Sequence, residues 1–374
     1  MVLDEFGSFV SEICAHTLLA GDRPLFWTII ANPKAGGFTI RSRWRKHYAM
    51  LSECVKRARK NPLHEKSGPS SAVPECSPSG LVLTKAAGHA VEITGSLVDD
   101  AAKASSEEVK PFNLIITAGG DGTSLEVQTR LYHAPEEIRR DFAVLRLPMG
   151  TGNDGSDTWY LDKALNLLIE PSEVKRQRAL RLVTASGKGP FLAFNILSVG
   201  ADAFVTHMTN KMKGKLPGDS YKIWVDVASL FYDRIYKVGF MDVRSMDEQG
   251  KDVKSFREKL LLMAVGESGR RTYGSHNWIL PDDRNVCVLK QMSVFRKLSL
   301  KTLLKKGTHV DTPEAMLWNA NAVEFSSQYP ILAQMDGETV LLKKEDFPAL
   351  IELSPPVIPV LRKVTGDQGP GTGE

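Results

Sequence analysis

Three apolar runs in the first half of the chain each pass directly into a polar, glycine-rich segment. Phe26–Ile30, Phe112–Ile116 and Ala143–Leu147 are apolar and short enough to form buried strands. Strand-like and helix-like stretches alternate over residues 25–160, which predicts a parallel α/β sheet. The carboxyl ends of parallel strands meet at one edge of their sheet, so the three glycine-rich segments are predicted to line one crevice.

The middle segment, residues 117–123, reads Thr-Ala-Gly-Gly-Asp-Gly-Thr. Its glycines, Gly119, Gly120 and Gly122, permit a positive φ and a close approach of the backbone to a ligand. The N–H groups of the helix that follows would attract phosphate oxygens, and Asp121 would reach phosphate through Mg²⁺. We therefore predict that this segment binds a magnesium nucleotide. The alternative is a simple glycine turn capped by Asp121.

Four motifs follow one another along the chain: Asn32-Pro33-Lys34-Ala35-Gly36, Gly119-Gly120-Asp121-Gly122-Thr123 with Glu126, Pro148-Met149-Gly150-Thr151-Gly152-Asn153-Asp154, and Asp336-Gly337-Glu338. In this order they resemble the diacylglycerol kinase catalytic-domain family, which includes bacterial soluble diacylglycerol kinases, sphingosine kinases and ceramide kinases. The resemblance covers roughly residues 25–362. The chain departs from the family at Ala35, where Ser is usual, and at residues 155–157, where Phe-Ala-Arg is usual.

The resemblance implies an α/β N-terminal domain with a parallel sheet, as in NAD kinases and lipid kinases, followed by a mainly β C-terminal sandwich domain. Short strand-like runs from about Ala179 onward independently predict the β domain. We expect a helical extension at 1–24, a nucleotide-binding domain at 25–165 to which the chain returns at about 345–365, and a lipid-substrate domain at 166–344.

Five surface segments carry further expectations. Apolar residues at helical spacing near the N-terminus predict a helix packed on the first domain or, alternatively, a weak membrane contact. The basic stretch Arg41–Lys60 predicts a solvated helix face, with a lipid-headgroup patch as the alternative. Val294–Lys306 is apolar and basic, which predicts a connecting helix or a membrane-surface helix. Residues 60–80 and the tail from Gly366 predict flexible segments.

The resemblance implies transfer of the γ-phosphoryl group of ATP to a lipid hydroxyl, with ATP and Mg²⁺ as cofactors. Glu338 is the predicted general base, because an alcohol needs a carboxylate within hydrogen-bond reach to take its proton, and Asp121 is the alternative. Asp121 and Asp154 are predicted to hold the catalytic Mg²⁺. The predicted nucleotide-binding residues are Asn32, Lys34, Thr84, Gly119, Gly120, Asp121, Gly122, Thr123, Glu126, Gly150, Thr151 and Asn153, and a structural Mg²⁺ would use Leu280, Asp283 and Asn285.

Diacylglycerol is the first candidate acceptor, and a sphingoid base or ceramide is the second. An NAD kinase-like enzyme with a soluble acceptor and a non-catalytic, nucleotide-regulated lipid-binding protein are the rival functions. The formal net charge of +4 permits attraction to an anionic membrane and gives no argument for nucleic acid. Four scattered cysteines predict a reducing, cytoplasmic setting. Because the implied acceptor is a lipid, we also expect transient contact with a membrane surface. The sequence leaves open whether the protein forms a homodimer.

Overall fold

A computed structural model describes residues 2–60, 80–104, 109–150, 152–212, 232–274 and 277–364. Residues 61–79 of the expected Pro-rich loop, Thr151 and the tail from Gly366 lie outside these ranges. The stretch from Tyr221 to Tyr236 has the sequence pattern of an amphipathic helix, and the structure describes it only from Tyr232 onward. The chain divides into two compact units: Met1–Gln177 with Val357–Glu374 form unit 1, and Arg178–Pro356 form unit 2.

The bounds of the elements follow in chain order. The helices are α1 Val2–Ala15, α2 Gly36–Thr39, α3 Arg41–Arg59, α4 His89–Lys103, α5 Asp121–Tyr132, α6 Glu136–Arg139, α7 Leu161–Ile169, α8 Ala201–Met212, α9 Tyr232–Ile235 and α10 Val294–Lys306, with short 3₁₀ turns at Thr308–Asp311 and Lys344–Asp346. The strands are β1 Leu25–Ala31, β2 Leu81–Leu83, β3 Phe112–Gly119, β4 Phe142–Pro148, β5 Ser172–Gln177, β6 Leu180–Thr184, β7 Phe191–Ala193, β8 Ile196–Gly200, β9 Phe240–Met246, β10 Asp252–Gly266, β11 Arg271–Tyr273, β12 Asn277–Leu280, β13 Val286–Lys290, β14 Ala315–Trp318, β15 Ala322–Ser327, β16 Ile331–Met335, β17 Glu338–Leu342, β18 Ala349–Leu353 and β19 Ile358–Lys363.

Unit 1 is built on a sheet with the strand order β2-β1-β3-β4-β19-β5. Its strands run parallel except β5, which pairs antiparallel with β19. The expected parallel α/β sheet is therefore confirmed. Successive side chains point to opposite faces, so Ile116 joins one apolar cluster and Ile115 joins the other. Burial on both faces explains why β3 and β4 read as continuous apolar runs.

The N-terminal helix α1 packs into the core of unit 1. Phe6, Val10 and Ile13 are each 0% exposed and share a cluster with Leu51 of α3 and Leu165 of α7. The structure thus supports the packed-helix interpretation of this segment, because its apolar face is already covered. Helix α3 covers almost the whole basic stretch that was expected to be helical.

The end of the first segment of unit 1 and the point of return differ from the boundaries drawn on the sequence. The unit continues through β5 to Gln177, beyond residue 165, and the chain re-enters it at Val357, later than residue 345. The return places β19 between β4 and β5. The last strand described is thus an interior strand of the unit 1 sheet.

Unit 2 is mainly antiparallel β structure, as expected. The long strand β10 pairs with β9 through its first half and with β8 and β13 through its second half, so it belongs to both parts of the sheet. Both parts contribute side chains to one apolar core, including Val243 of β9 and Met335 of β16. Phe191–Ser198 is a single strand-like run in the sequence, but it forms two strands, β7 and β8, separated at Phe194 and Asn195.

Candidate active site

Three loops of unit 1 meet at the carboxyl ends of β1, β3 and β4. Gly37, just after the β1 loop, donates its N–H to the carbonyl of Met149 at the end of β4 over 2.8 Å. Asn32 donates its N–H to the carbonyl of Ala118 in β3 over 3.0 Å. In the strand order β2-β1-β3-β4, the chain adds β2 on one side of β1 and β3 on the other, so the sheet has a switch point between β1 and β3. Such a switch point at the carboxyl ends of strands is where open α/β sheets bind ligands.

The glycines of these loops are required for close packing between them. A Cβ placed on Gly150 would lie 2.5 Å from the Cα of Gly120, and one on Gly119 would lie 2.5 Å from the Oγ1 of Thr123. The expected positive φ was wrong, because Gly120 is extended, with φ −94° and ψ −173°, and neither Gly119 nor Gly122 is among the described residues of positive φ. These loops approach so closely that a methyl group has no room.

Asn153 closes the turn after β4. Its Oδ1 accepts the N–H of Gly150 over 2.7 Å, and its Nδ2 donates to the carbonyl of Gly150 over 3.2 Å. The residue itself lies in the left-handed region with φ 60°, which Asn tolerates better than most residues. The side chain predicted to contact nucleotide therefore also shapes the loop. Thr151, predicted alongside it, lies outside the described residues.

Asp121 and Asp154 present carboxylate oxygens to a common point. A Cβ placed on Gly152 would lie 2.9 Å from Asp121 Oδ2 and 3.4 Å from Asp154 Oδ2. The second oxygen of Asp121 accepts the N–H of Gly155 over 2.9 Å. Burial raises the pKa of Asp121, and the backbone N–H groups of residues 153–155 oppose that rise.

These two carboxylates fit the role predicted for them. Mg²⁺ is usually held in such sites by one or two carboxylates together with substrate phosphates. Across the described ranges, no cluster of three or more Asp, Glu, His or Cys side chains could hold a metal without such help. The pair thus suits a magnesium ion that arrives with a nucleotide.

A buried ion pair lies beneath the β4 loop and was not anticipated. Asp157 Oδ1 accepts from Arg146 Nη2 over 2.7 Å and from Arg362 Nη1 over 2.5 Å, and the two side chains of the Arg146–Asp157 pair are 2% and 0% exposed. Burial alone would raise the pKa of Asp157, but the two guanidinium groups hold it below its usual range. Asp157 occupies the segment where this chain departs from the family pattern, so the departure has a structural role.

Three other predicted residues have local roles in unit 1. The carboxylate of Glu126 accepts the N–H groups of Gly88 and Ala90, over 2.8 and 3.0 Å, at the start of α4. A carboxylate is favourable at a helix N-terminus, so Glu126 fixes α4 against α5. The N–H of Thr84 donates to the carbonyl of Ala31 over 2.9 Å. Lys34, in the β1 loop, has an exposed side chain.

In unit 2, Asp336 and Gly337 form the two-residue turn between β16 and β17. Both have positive φ, 45° and 103°, as a tight hairpin turn requires. The carboxylate of Asp336 accepts the N–H groups of Phe194, Asn195 and Ile196, which explains the interruption between β7 and β8. Asp336 thus fixes the backbone between β7 and β8, whereas the sequence analysis had identified it only as part of a motif.

Glu338 follows that turn as the first residue of β17 and is exposed. Beside it, Asn210 of α8 donates its Nδ2 to the carbonyl of Gly337 over 2.7 Å, and His207 Nδ1 lies 3.2 Å from Thr339 Oγ1. The N–H of Gly337 donates to Gln334 Oε1 over 3.0 Å. The carboxylate predicted as the general base therefore stands on a turn that is fixed from several sides.

The residues predicted to hold a second Mg²⁺ make other contacts. Asp283 Oδ1 accepts from Arg270 Nε over 2.8 Å, so the cation beside this carboxylate is a guanidinium. The carbonyl of Asn285 accepts the N–H of Gly266 over 2.7 Å, and Leu280 pairs with Arg271 in a two-stranded ribbon. This arrangement does not fit a magnesium site, and we build no step on it.

Comparisons with known proteins agree with the geometry. The family model of the diacylglycerol kinase catalytic domain matches residues 27–185. A diacylglycerol kinase of Staphylococcus carnosus strain TM300 is 24% identical over 263 residues, which cover 67% of this chain and 77% of that protein. A diacylglycerol kinase of Bacillus subtilis strain 168 is 24% identical over 261 residues, covering 67% of this chain and 78% of that protein.

Solved structures share the fold. A crystal structure of a diacylglycerol kinase from Bacillus anthracis strain Sterne superposes with a TM-score of 0.52 at 18% identity, covering 89% of this chain and 95% of that one. Another crystal structure from the same organism gives a TM-score of 0.56 at 20% identity, covering 89% and 94%.

The fold is therefore that of the bacterial diacylglycerol kinase-like proteins, with a parallel α/β unit and a mainly β unit. Residues 27–185 match the family model of the diacylglycerol kinase catalytic domain. Among the described helices, none combines the length and the apolar character needed to cross a membrane.

Proposed function

We propose that this protein transfers the γ-phosphoryl group of Mg-ATP to the hydroxyl of a lipid, with diacylglycerol as the first candidate acceptor. The proposal rests chiefly on the carboxylate oxygens of Asp121 and Asp154, which approach the same point beside Gly152 at the switch point of the unit 1 sheet. The family match and the names of the relatives support a lipid kinase.

The residues of unit 1 would bind and orient the nucleotide. The first N–H groups of α5, at Asp121 and Gly122, have no partner within the helix and would receive phosphate oxygens. Lys34 is exposed in the β1 loop and would add a positive charge. A bound Mg²⁺, held by Asp121 and Asp154, would neutralise charge on the transferring phosphoryl group.

Glu338 is the proposed general base. It would accept the proton of the lipid hydroxyl at a carboxylate oxygen as the new P–O bond forms. Its exposed position on a fixed turn supports this assignment, because a base must reach the substrate and keep its orientation. Asp121 remains the alternative base. However, the hydrogen bond from Gly155 already engages one of its oxygens.

The test is a kinase assay with radiolabelled ATP, Mg²⁺ and mixed micelles of diacylglycerol, sphingosine, ceramide or phosphatidylglycerol. We expect label in one lipid, no turnover by Glu338→Gln with ATP binding retained, and a raised Mg-ATP requirement in Asp121→Asn. The matched control is Glu345→Gln, which changes another exposed carboxylate of unit 2 and should keep full activity.

Other outcomes point elsewhere. Normal turnover by Glu338→Gln would sink its assignment as the base. Label in NAD and in no lipid would favour the NAD kinase-like alternative. ATP binding with no label in any acceptor would favour a non-catalytic lipid-binding protein.

A further inference from the structure

Helix α10 is anchored to unit 2 by one face only. Leu300 and Leu304 are each 7% exposed and join the apolar cluster that contains Ile279 and Cys287. Lys297 is 6% exposed and its Nζ lies 2.9 Å from a carboxylate oxygen of Asp233. The helix begins after Ser293, whose Oγ accepts the N–H of Arg296, and ends at Gly307, which has a φ of 71°. The helix is therefore held in a defined orientation.

The opposite face of α10 exposes large apolar side chains. Phe295 is 84% exposed, more than any other large apolar side chain in the described part of the chain, and Leu298 is 53% exposed. At 100° per residue both point away from Leu300 and Leu304. A large aromatic ring left in water forgoes the stabilisation that burial would give it, so such a ring on a fixed helix indicates a surface that is covered in use.

The same exposed face is basic. Lys305 and Lys306 are exposed on it, Lys301 is exposed on its flank, and the helix contains no acidic residue. The carboxylates beside the helix are already engaged, since Glu314 pairs with Arg296 and Asp233 pairs with Lys297. The outer face thus combines an apolar end with a positively charged end.

We infer that α10 docks the protein on an anionic lipid surface. Phe295 and Leu298 enter the boundary between headgroups and acyl chains, and Lys305 and Lys306 lie against lipid phosphates. Apolar burial and attraction to anionic lipids are the two interactions that hold helices at membrane surfaces. The inference deepens the proposed function, because it names the surface on which a lipid kinase would meet its acceptor, and its lipid partner rests on that function.

A second copy of the chain fits this face less well. Stable protein interfaces bury about 800 Å² on each partner, more than two side chains supply. Lysine is also depleted from the centres of such interfaces. A lipid surface needs no matching pocket and attracts lysine, so it satisfies both halves of the face.

The test measures binding to vesicles without ATP, so that it does not depend on turnover. Wild-type protein should sediment with vesicles of phosphatidylcholine and phosphatidylglycerol and bind pure phosphatidylcholine weakly. Phe295→Ser with Leu298→Ser should weaken binding by about tenfold. Replacing Lys305 and Lys306 by Gln should weaken it by roughly fivefold for each lysine removed and reduce its salt dependence. Val253→Ser, which removes a 47% exposed apolar side chain of β10, is the matched control and should bind as wild type does.

Equal binding by wild type and both α10 variants, with unchanged melting temperatures, would overturn the inference. So would a concentration-dependent dimer that Phe295→Ser abolishes, because the occupant would then be a second copy. Activity separates this inference from the proposed function: the α10 variants should lose activity on vesicles and keep it on a dispersed short-chain acceptor. Vesicle binding through α10 without activity on any lipid would leave the docking surface intact and remove the kinase assignment.

Discussion

At the scale of single residues, two buried aspartates show how surroundings decide the charge of a carboxyl group. Asp157 lies between two guanidinium groups, and its pKa is lowered in spite of its burial. Asp202 is 5% exposed and bonds to Ser198 and Gln334. Burial there raises the pKa to about 6, because these hydrogen bonds offset only part of the cost. The first is a structural anion, and the second is a group that can be protonated under mildly acidic conditions.

Asp157→Asn should strongly destabilise unit 1. The change leaves Arg146 buried without its carboxylate, which typically costs about 3–5 kcal/mol. The lowered pKa means that the carboxylate contributes stability above the unfolded-state pKa, and that this stability is lost as the pH falls through the folded-state pKa. Urea unfolding at neutral pH checks the size of the effect.

The control for Asp157→Asn is Glu173→Gln, which removes an exposed pair with Lys175 in the same unit. That pair should contribute less than about 1 kcal/mol. Equal, small losses in both variants would show that the buried pair is not needed for stability.

Asp202→Asn should have the opposite effect at high pH. Between 3.8 and about 6 the folded state keeps a proton that the unfolded chain releases, so the stability of unit 2 falls as the pH rises through this interval. Asparagine removes that cost, and the variant should be more stable than wild type by on the order of 1–3 kcal/mol at about pH 8. Unfolding curves at about pH 4 and pH 8 measure the difference, which should shrink at the lower value.

For the Asp202 experiment, Asp242→Asn removes an exposed carboxylate of the same unit and is the reference. A loss of stability in Asp202→Asn at the higher pH would mean that the ionised group is favourable where it lies.

At the scale of elements, the apolar runs predicted the main strands of unit 1 because parallel strands covered on both faces leave little room for polar residues. The glycine-rich loops were placed correctly at the strand ends, but their conformation was not. Gly120 is extended, and it packs directly against Gly150, a residue 30 positions further along the chain. A single sequence does not reveal which loops touch, so the physical reason for these glycines came only from the structure.

The buried network around Asp157 was missed for the same reason. Its partner Arg362 is 205 residues away along the chain, and local patterns carry no information about such a pair. Glu126 and Asp336 were both singled out by sequence, yet each accepts backbone N–H groups from a distant segment. The nucleotide-binding role of Glu126 and the catalytic role of Glu338, next to Asp336, remain predictions. The backbone contacts of Glu126 and Asp336 are observed in the structure.

Gly150→Ala should disrupt the loops around the candidate nucleotide site. The added Cβ would lie 2.5 Å from the Cα of Gly120, a backbone atom that cannot turn aside as a side chain would. We expect ATP affinity to fall by at least tenfold with a loss of about 1–3 kcal/mol in stability. Calorimetric titration with Mg-ATP and thermal unfolding measure the two effects.

The matched glycine for this test is Gly95 in α4, where a Cβ would meet only the flexible Arg130 side chain at 3.4 Å. Gly95→Ala should keep ATP affinity and gain roughly 0.5–1 kcal/mol from helix propensity. Unchanged affinity in Gly150→Ala would disconnect this glycine contact from the nucleotide site.

At the scale of the whole molecule, the two units differ in the number of chain segments that form them. Unit 2 is one continuous segment, whereas unit 1 is assembled from two segments. The second segment supplies β19, whose Ile358, Val360 and Leu361 are at most 1% exposed, and also the Arg362 that pairs with Asp157. Unit 1 therefore depends on residues that follow all of unit 2.

Truncation after Pro356 should unfold unit 1 and spare unit 2. The deletion removes an interior strand that pairs with both β4 and β5, and it exposes their edges. Limited proteolysis should then cut within residues 1–177 and leave a resistant fragment near 178–356. Truncation after Val364, which keeps β19, is the matched control and should give the wild-type pattern. A resistant first unit in the shorter protein would show that β19 is dispensable.

The late position of β19 also has a consequence for synthesis. As the chain leaves the ribosome, residues 2–177 emerge long before the strand that fills the gap between β4 and β5, because nearly all of unit 2 is made in between. Domains commonly fold as units in the order of their synthesis, but here the first unit must wait for the last strand. During that interval its apolar strand edges are open to other chains, so chaperones would be needed most at the N-terminal half of the nascent chain.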